Sequence, residues 1–116
     1  MILPISELLR NDPEVKRLTN GQVYLDLAPL GTTPPYIVWQ EISGRALNNL
    51  DCPASADHIM YQVMCYGKQV TASEVREAAR KVLEVHSYIH NSRINTYEPN
   101  TKLSGRGFDA NWILER

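Results

Sequence analysis

Hydrophobic and polar positions along this chain follow two different periods, and the switches between them divide it into a short series of elements. Ile5, Leu8 and Leu9 recur at helical spacing between Pro4 and Arg10. A second short helix is punctuated at both ends: Asp12 suits the N-cap, Pro13 the first helical position and Glu14 the positive end of the helix dipole. Asn20-Gly21 then supplies a left-handed stop. From Val23 to Leu27 the odd positions are apolar, the period of a strand. Pro29 to Pro35 is a turn-rich link. Tyr36 to Ile42 is dense in β-branched and aromatic residues and is the strongest strand signal in the chain. Ser43 to Asp57 is polar, carries Gly, Pro and Asn-Asn, and has no period, so it is expected to be a long loop, functional or disordered.

His58 to Tyr66 alternates Ile59, Tyr61, Val63 and Cys65 and predicts a third strand. The main helix is expected to open at Thr71, where Thr71-Ala72-Ser73-Glu74 matches a capping box. Val75, Ala78, Val82, Val85 and Ile89 form its apolar stripe, flanked by Ala79, Leu83 and His86. Glu74, Arg76, Glu77, Arg80, Lys81 and Glu84 form its wet side, with Glu77 and Lys81 at a favourable spacing. Arg93 to Glu98 predicts a short strand. Pro99 to Arg106 predicts a polar connection with hairpin character. Gly107 to Glu115, which alternates Phe108, Ala110, Trp112 and Leu114, predicts the last strand. The order α-α-β-β-β-α-β-β favours an α+β domain, a mostly antiparallel sheet with helices on one face.

At 116 residues the chain suits one domain, residues 1–116, with one modest core. The formal net charge of −1 argues against a dedicated nucleic-acid binder, which needs a basic face to displace phosphate counterions, and it permits self-association. No apolar run approaches the roughly 20 residues of a membrane helix. The N-terminus has neither the basic region nor the apolar stretch of a signal peptide, so the chain is expected to be made in a cytoplasm. Cys65 sits in an apolar run and Cys52 in a polar segment. They form no CxxC, and their spacing leaves a disulfide between them open.

Candidate chemistry is thin. His86 and His90 are four apart, as helical metal ligands can be, but no third ligand joins them and the HExxH pattern is absent. His58 beside Asp57 has no nucleophile assigned to it. Gly105-Arg106-Gly107 precedes a strand, whereas a phosphate loop opens a helix, so a turn or bulge accounts for it better. Tyr24, Tyr36, Trp39, Tyr61, Tyr66 and Trp112 lie on strand segments. They suit sheet packing or interface anchoring better than base stacking, since no basic groove accompanies them. No catalytic, metal or cofactor residues are therefore assigned, and an enzyme is not expected.

Several of these landmarks, in this order, resemble the phage tail-completion family, also called tail terminators or head–tail joining proteins. They are a proline-introduced strand with a Ser-Gly turn (Pro35-Tyr36-Ile37-Val38 to Ser43-Gly44), a strand ending in Cys plus an aromatic (Val63-Met64-Cys65-Tyr66-Gly67) before the long helix, and an aromatic-bearing final strand after an Arg (Arg106-Gly107-Phe108-Asp109-Ala110-Asn111-Trp112). The resemblance runs over nearly the whole chain. It implies a ring, typically six-fold, assembled in the host cytoplasm and carried in the virion, where it caps the tail tube and joins it to the head connector. Partners would be copies of the chain, the tube protein and connector proteins, with no membrane and no sequence-specific nucleic acid. A ring uses heterologous contacts, and the two polar connections are natural reaching elements. Arg45, Asn48, Asn49, Asp51, Asp57, Lys102 and Arg106 are the candidate interface residues they supply. The competing readings are a stopper or adaptor of the head connector, and a small nucleic-acid- or protein-binding module.

Overall fold

The computed structural model describes residues 2–47 and 56–115, with backbone only at 45–47 and 114–115. Its elements run α1 (Ile5–Asn11), α2 (Pro13–Thr19), β1 (Val23–Leu25), β2 (Tyr36–Leu47), β3 (Ala56–Gly67), α3 (Gln69–Leu83), β4 (Tyr88–Glu98) and β5 (Leu103–Glu115). The five strands form one sheet in the order β1-β2-β3-β5-β4. Only the β1–β2 pair is parallel; the other three are antiparallel. The helices pack against one another and on one face of the sheet, α3 over β3 and β5 and α1 beside β1. The expected α+β class and element order therefore hold.

Local chemistry explains α2. Asp12 accepts the Val15 N–H at 3.0 Å, Pro13 occupies the first turn, and Asn20 and Gly21 adopt positive φ at the far end. The start of α3 corrects the sequence expectation. The helix begins at Gln69, two residues before Thr71, with Lys68 at the cap position and no side-chain capping bond. Ser73 Oγ instead donates back to the Gln69 carbonyl at 2.9 Å, so no capping box closes. Asp12→Ala is expected to cost about 1 kcal/mol in urea denaturation. Thr71→Ala should stay within about 0.5 kcal/mol, as for a surface change touching no cap; equal losses would contradict this assignment.

The core joins Ile37 and Trp39 of β2, Ile59, Tyr61, Val63 and Cys65 of β3, and Phe108 and Ala110 of β5 to the apolar sides of all three helices. The period-two pattern of β3 is followed faithfully, because one face is buried against helices. The long stripe expected on α3 is truncated: the helix stops at Leu83, and Val85 beyond it is exposed. Arg76, expected on the wet side, is only 5 % exposed. Its Nη1 donates to Asn95 Oδ1 at 2.9 Å and lies 3.5 Å from the Ile94 carbonyl. On the solvent side Arg80, in place of Lys81, bridges Glu77 at 2.6 Å and Glu84 at 2.9 Å. Such exposed pairs contribute little.

β1 spans only Val23–Leu25 of the expected Val23–Leu27, but β2 to β5 are longer than the sequence suggests. β2 and β3 stay paired out to Leu47↔Ala56, and β5 accompanies them to Ala56↔Glu115. Ser43–Leu47 and Ala56–Asp57 are therefore strand, and the expected loop contracts to residues 48–55, which lie outside the described residues. The expected connection from Pro99 to Arg106 contracts likewise to a turn over residues 99–102, with Lys102 at φ 57°. β4 begins at Tyr88, well before Arg93. A bulge at Ile42 breaks the β2–β3 register, and β4 carries two irregularities against β5, between Ile89 and Asn91 and between Asn91 and Ile94. Gly105-Arg106-Gly107 lies within β5, in register with β3, and is neither turn nor bulge.

Candidate assembly interface

The extended β2–β3–β5 ladder and the β4–β5 hairpin carry Arg45, Asp57, Lys102 and Arg106 of the nominated residues. Arg45 lies in β2 opposite His58. Asp57 sits half-buried in β3, opposite Ala46 and Leu114. Asn48, Asn49 and Asp51 lie outside the described residues. Lys102 is exposed in the β4–β5 turn, and Arg106 stands within β5 opposite Asn95. The fold thus places Arg45 and Asp57 on the β2–β3 ladder and Lys102 and Arg106 on the β4–β5 hairpin.

Arg106 has neighbours that sequence reasoning missed. Its Nη1 donates to the Thr96 carbonyl at 3.2 Å and the Gly105 carbonyl at 2.9 Å. Arg76 of α3 and Arg93 of β4 lie close enough that both Arg93 and Arg106 repel the Arg76 charge. Burial first, and then these two positive neighbours, hold the Arg76 pKa below the usual arginine value. None of the three guanidiniums forms an ion pair among the described residues. No spacing rule could have found this group, because its members come from three elements joined only by the fold.

Among the described residues, no helix covers the second face of the sheet. Tyr36 and Tyr66 meet there with ring centroids 5.4 Å apart, and Gln62 donates to Asp109 Oδ1 at 3.2 Å. Met64 is 7 % exposed on this face, lying against Gly105 and Gly107 of the neighbouring strand. The aromatics thus divide: Trp39 and Tyr61 are core, Tyr36 and Tyr66 share the open face, and Trp112 is half-buried beneath His86. The rings of His86 and Trp112 stack at 5.8 Å.

The remaining candidate chemistry is dispersed. His86 lies in the turn after α3 and His90 in β4, so they do not share a helix face. Among the described residues, no three His, Cys, Asp or Glu side chains converge as a metal site. Tyr61 meets the Ser87 hydroxyl at 2.6 Å, and burial pushes its pKa up to about 12 against the lowering effect of that bond. Cys65 is a free, buried thiol, and Cys52 lies outside the described residues. Burial raises its pKa strongly, with Arg76 opposing. In a Cys52→Ala background, Cys65 should react with a thiol reagent at least about 100-fold more slowly in the folded chain than in urea, since reaction then requires an opening of the fold. Equal rates would show that the thiol is accessible.

No curated protein matches this chain. Its fold is similar to that of a chain in the structure titled "Virion of native gene transfer agent (GTA) particle", with a TM-score of 0.74 at 11 % identity, over 97 % of this chain and 92 % of that one. A family described as tail completion protein gp17 matches residues 4–115. The chain belongs to that family and is a structural component of a bacteriophage tail.

Proposed function

We propose that copies of this chain form a ring, six-fold in symmetry, that ends the tail tube and joins it to the head connector without catalysing a reaction. The observation that carries this reading is the family match across residues 4–115. The fold supports it in a specific way. Its β2–β3–β5 ladder is long, within a molecule whose principal extents are 52 × 29 × 24 Å. Its arginine group has no ion-pair partner among the described residues. Both features suit contacts to other subunits, and a ring needs two different surfaces on each copy. The ring is assembled in the host cytoplasm and carried in the virion, against the tube protein on one side and connector proteins on the other.

Deletion of the gene, followed by electron microscopy of the lysate, tests the role. Tubes of uncontrolled length, or finished tails without heads, are expected. Heads that lose their DNA beside normally ended tails would reassign the chain to the connector as a stopper. Headed, infectious virions of normal tail length would remove the role altogether.

A further inference from the structure

The strand order places β1 and β4 at opposite edges of the sheet, and the two edges differ in chemistry. In and beside β1, Ile2 is 67 % exposed, Leu25 37 % and Leu27 81 %. They border shallow grooves of about 580 and 200 Å³. Scattered exposed aliphatics are normal; several gathered at one edge mark a contact surface. Three carboxylates rim this edge: Glu7, Asp26 and Glu41 line the grooves. Among the described residues none of them has an ion-pair partner. Among the described residues, the one cation lining these grooves, Arg10, donates to the Val23 carbonyl.

The β4 edge has the opposite sign. It presents Arg93, with Arg106 and the largely covered Arg76 behind it, and the exposed tyrosines Tyr88 and Tyr97. Its one carboxylate, Glu98, accepts the Asn100 N–H at 3.0 Å, and Glu77 nearby is held by Arg80. Tyrosine and arginine are the side chains enriched where proteins meet.

We propose that these edges are the two halves of one head-to-tail contact: the aliphatic, carboxylate-rimmed β1 edge of one copy receives the arginine- and tyrosine-bearing β4 edge of the next. The assignment rests on the ring reading and names the surfaces that build it. Charge complementarity selects a second copy as the occupant. Each edge offers what the other lacks, and a chain of near-zero net charge gains no general attraction to a polyanion. Because the edges lie on opposite sides of the molecule, the contact propagates from copy to copy, as a heterologous interface must.

The test uses the full chain, alone and with isolated tail tubes, read by light scattering and electron microscopy. Leu27→Glu and Arg93→Glu each alter an exposed side chain on one edge, and thermal melts confirm that both still fold. Each variant alone is expected to lose the ring. An equimolar mixture should form a heterodimer and nothing larger, because only one functional pair of edges remains. Wild-type rings indifferent to both substitutions would overturn the edge assignment and leave the ring reading intact, as would a mixture with no heterodimer. A wild-type chain that stays monomeric, even with tubes, would overturn both. If Arg93→Glu instead abolished binding of a fluorescent DNA oligonucleotide while rings persisted, the arginines would belong to a nucleic-acid surface and the proposal would fall.

Discussion

Replacing Trp39 by alanine is expected to lower the unfolding free energy by about 3–5 kcal/mol, the range for a buried aromatic truncated in a packed core. Trp39 is wholly buried in β2, and its Nε1 donates to Ser6 Oγ of α1 at 2.7 Å. The side chain therefore ties the N-terminal helix to the sheet. Two effects contribute, and the control Ser6→Ala separates them. Losing the hydroxyl should cost about 1 kcal/mol, as for one hydrogen bond; the remainder is indole burial. Domains of this size have roughly 5–15 kcal/mol of stability in total, so the variant should be partly unfolded at modest urea concentrations. A loss below about 1 kcal/mol would mean that the indole is not a core element.

Gly107→Ala is the second change expected to have a large effect, about 3 kcal/mol, at the upper end for overpacking. A Cβ at Gly107 would lie inside contact distance of the Val63 carbonyl oxygen and Met64 Sδ, and 3.2 Å from Met64 Cα. The thioether can swing aside, but the backbone of β3 in the middle of a sheet cannot. Gly44, whose added Cβ would meet nothing within 4 Å, is the control. Gly44→Ala should be neutral or slightly stabilising, because it restricts the unfolded chain. Similar melting temperatures for the two variants would contradict the close strand approach at Gly107.

Some of this structure was legible from the chain alone, for physical reasons that differ by element. Asp12, Pro13 and Asn20-Gly21 act within a few residues of one another, so α2 could be bounded closely. β3 was legible because burying one face against the helices puts Ile59, Tyr61, Val63 and Cys65 in the core at alternate positions. The outer part of β2 was not, since Ser43 and Gly44 are exposed and no burial imposes a period there. The capping box at Thr71 is a local signal that lost to an earlier helix start at Gln69. Arg76 was misjudged because its partner Asn95 lies on a distant strand. Arg106 was nominated from an expected connection, and it lies instead within β5. The company of Arg76 and Arg93 depends on tertiary structure, and so do the opposed chemistries of the two sheet edges.

The irregularities in β4 bear on how growth ends. A straight, evenly spaced outer strand would accept another chain in any register and invite fibrils. Two extra residues in β4, at the steps after Ile89 and Asn91, spoil that regular template and add local twist. Copies of the chain are thereby kept from zipping together indiscriminately. In the proposed ring, attachment at this rim would rest on side chains fitting in one orientation, and that is the condition for a finite circle instead of an endless fibre.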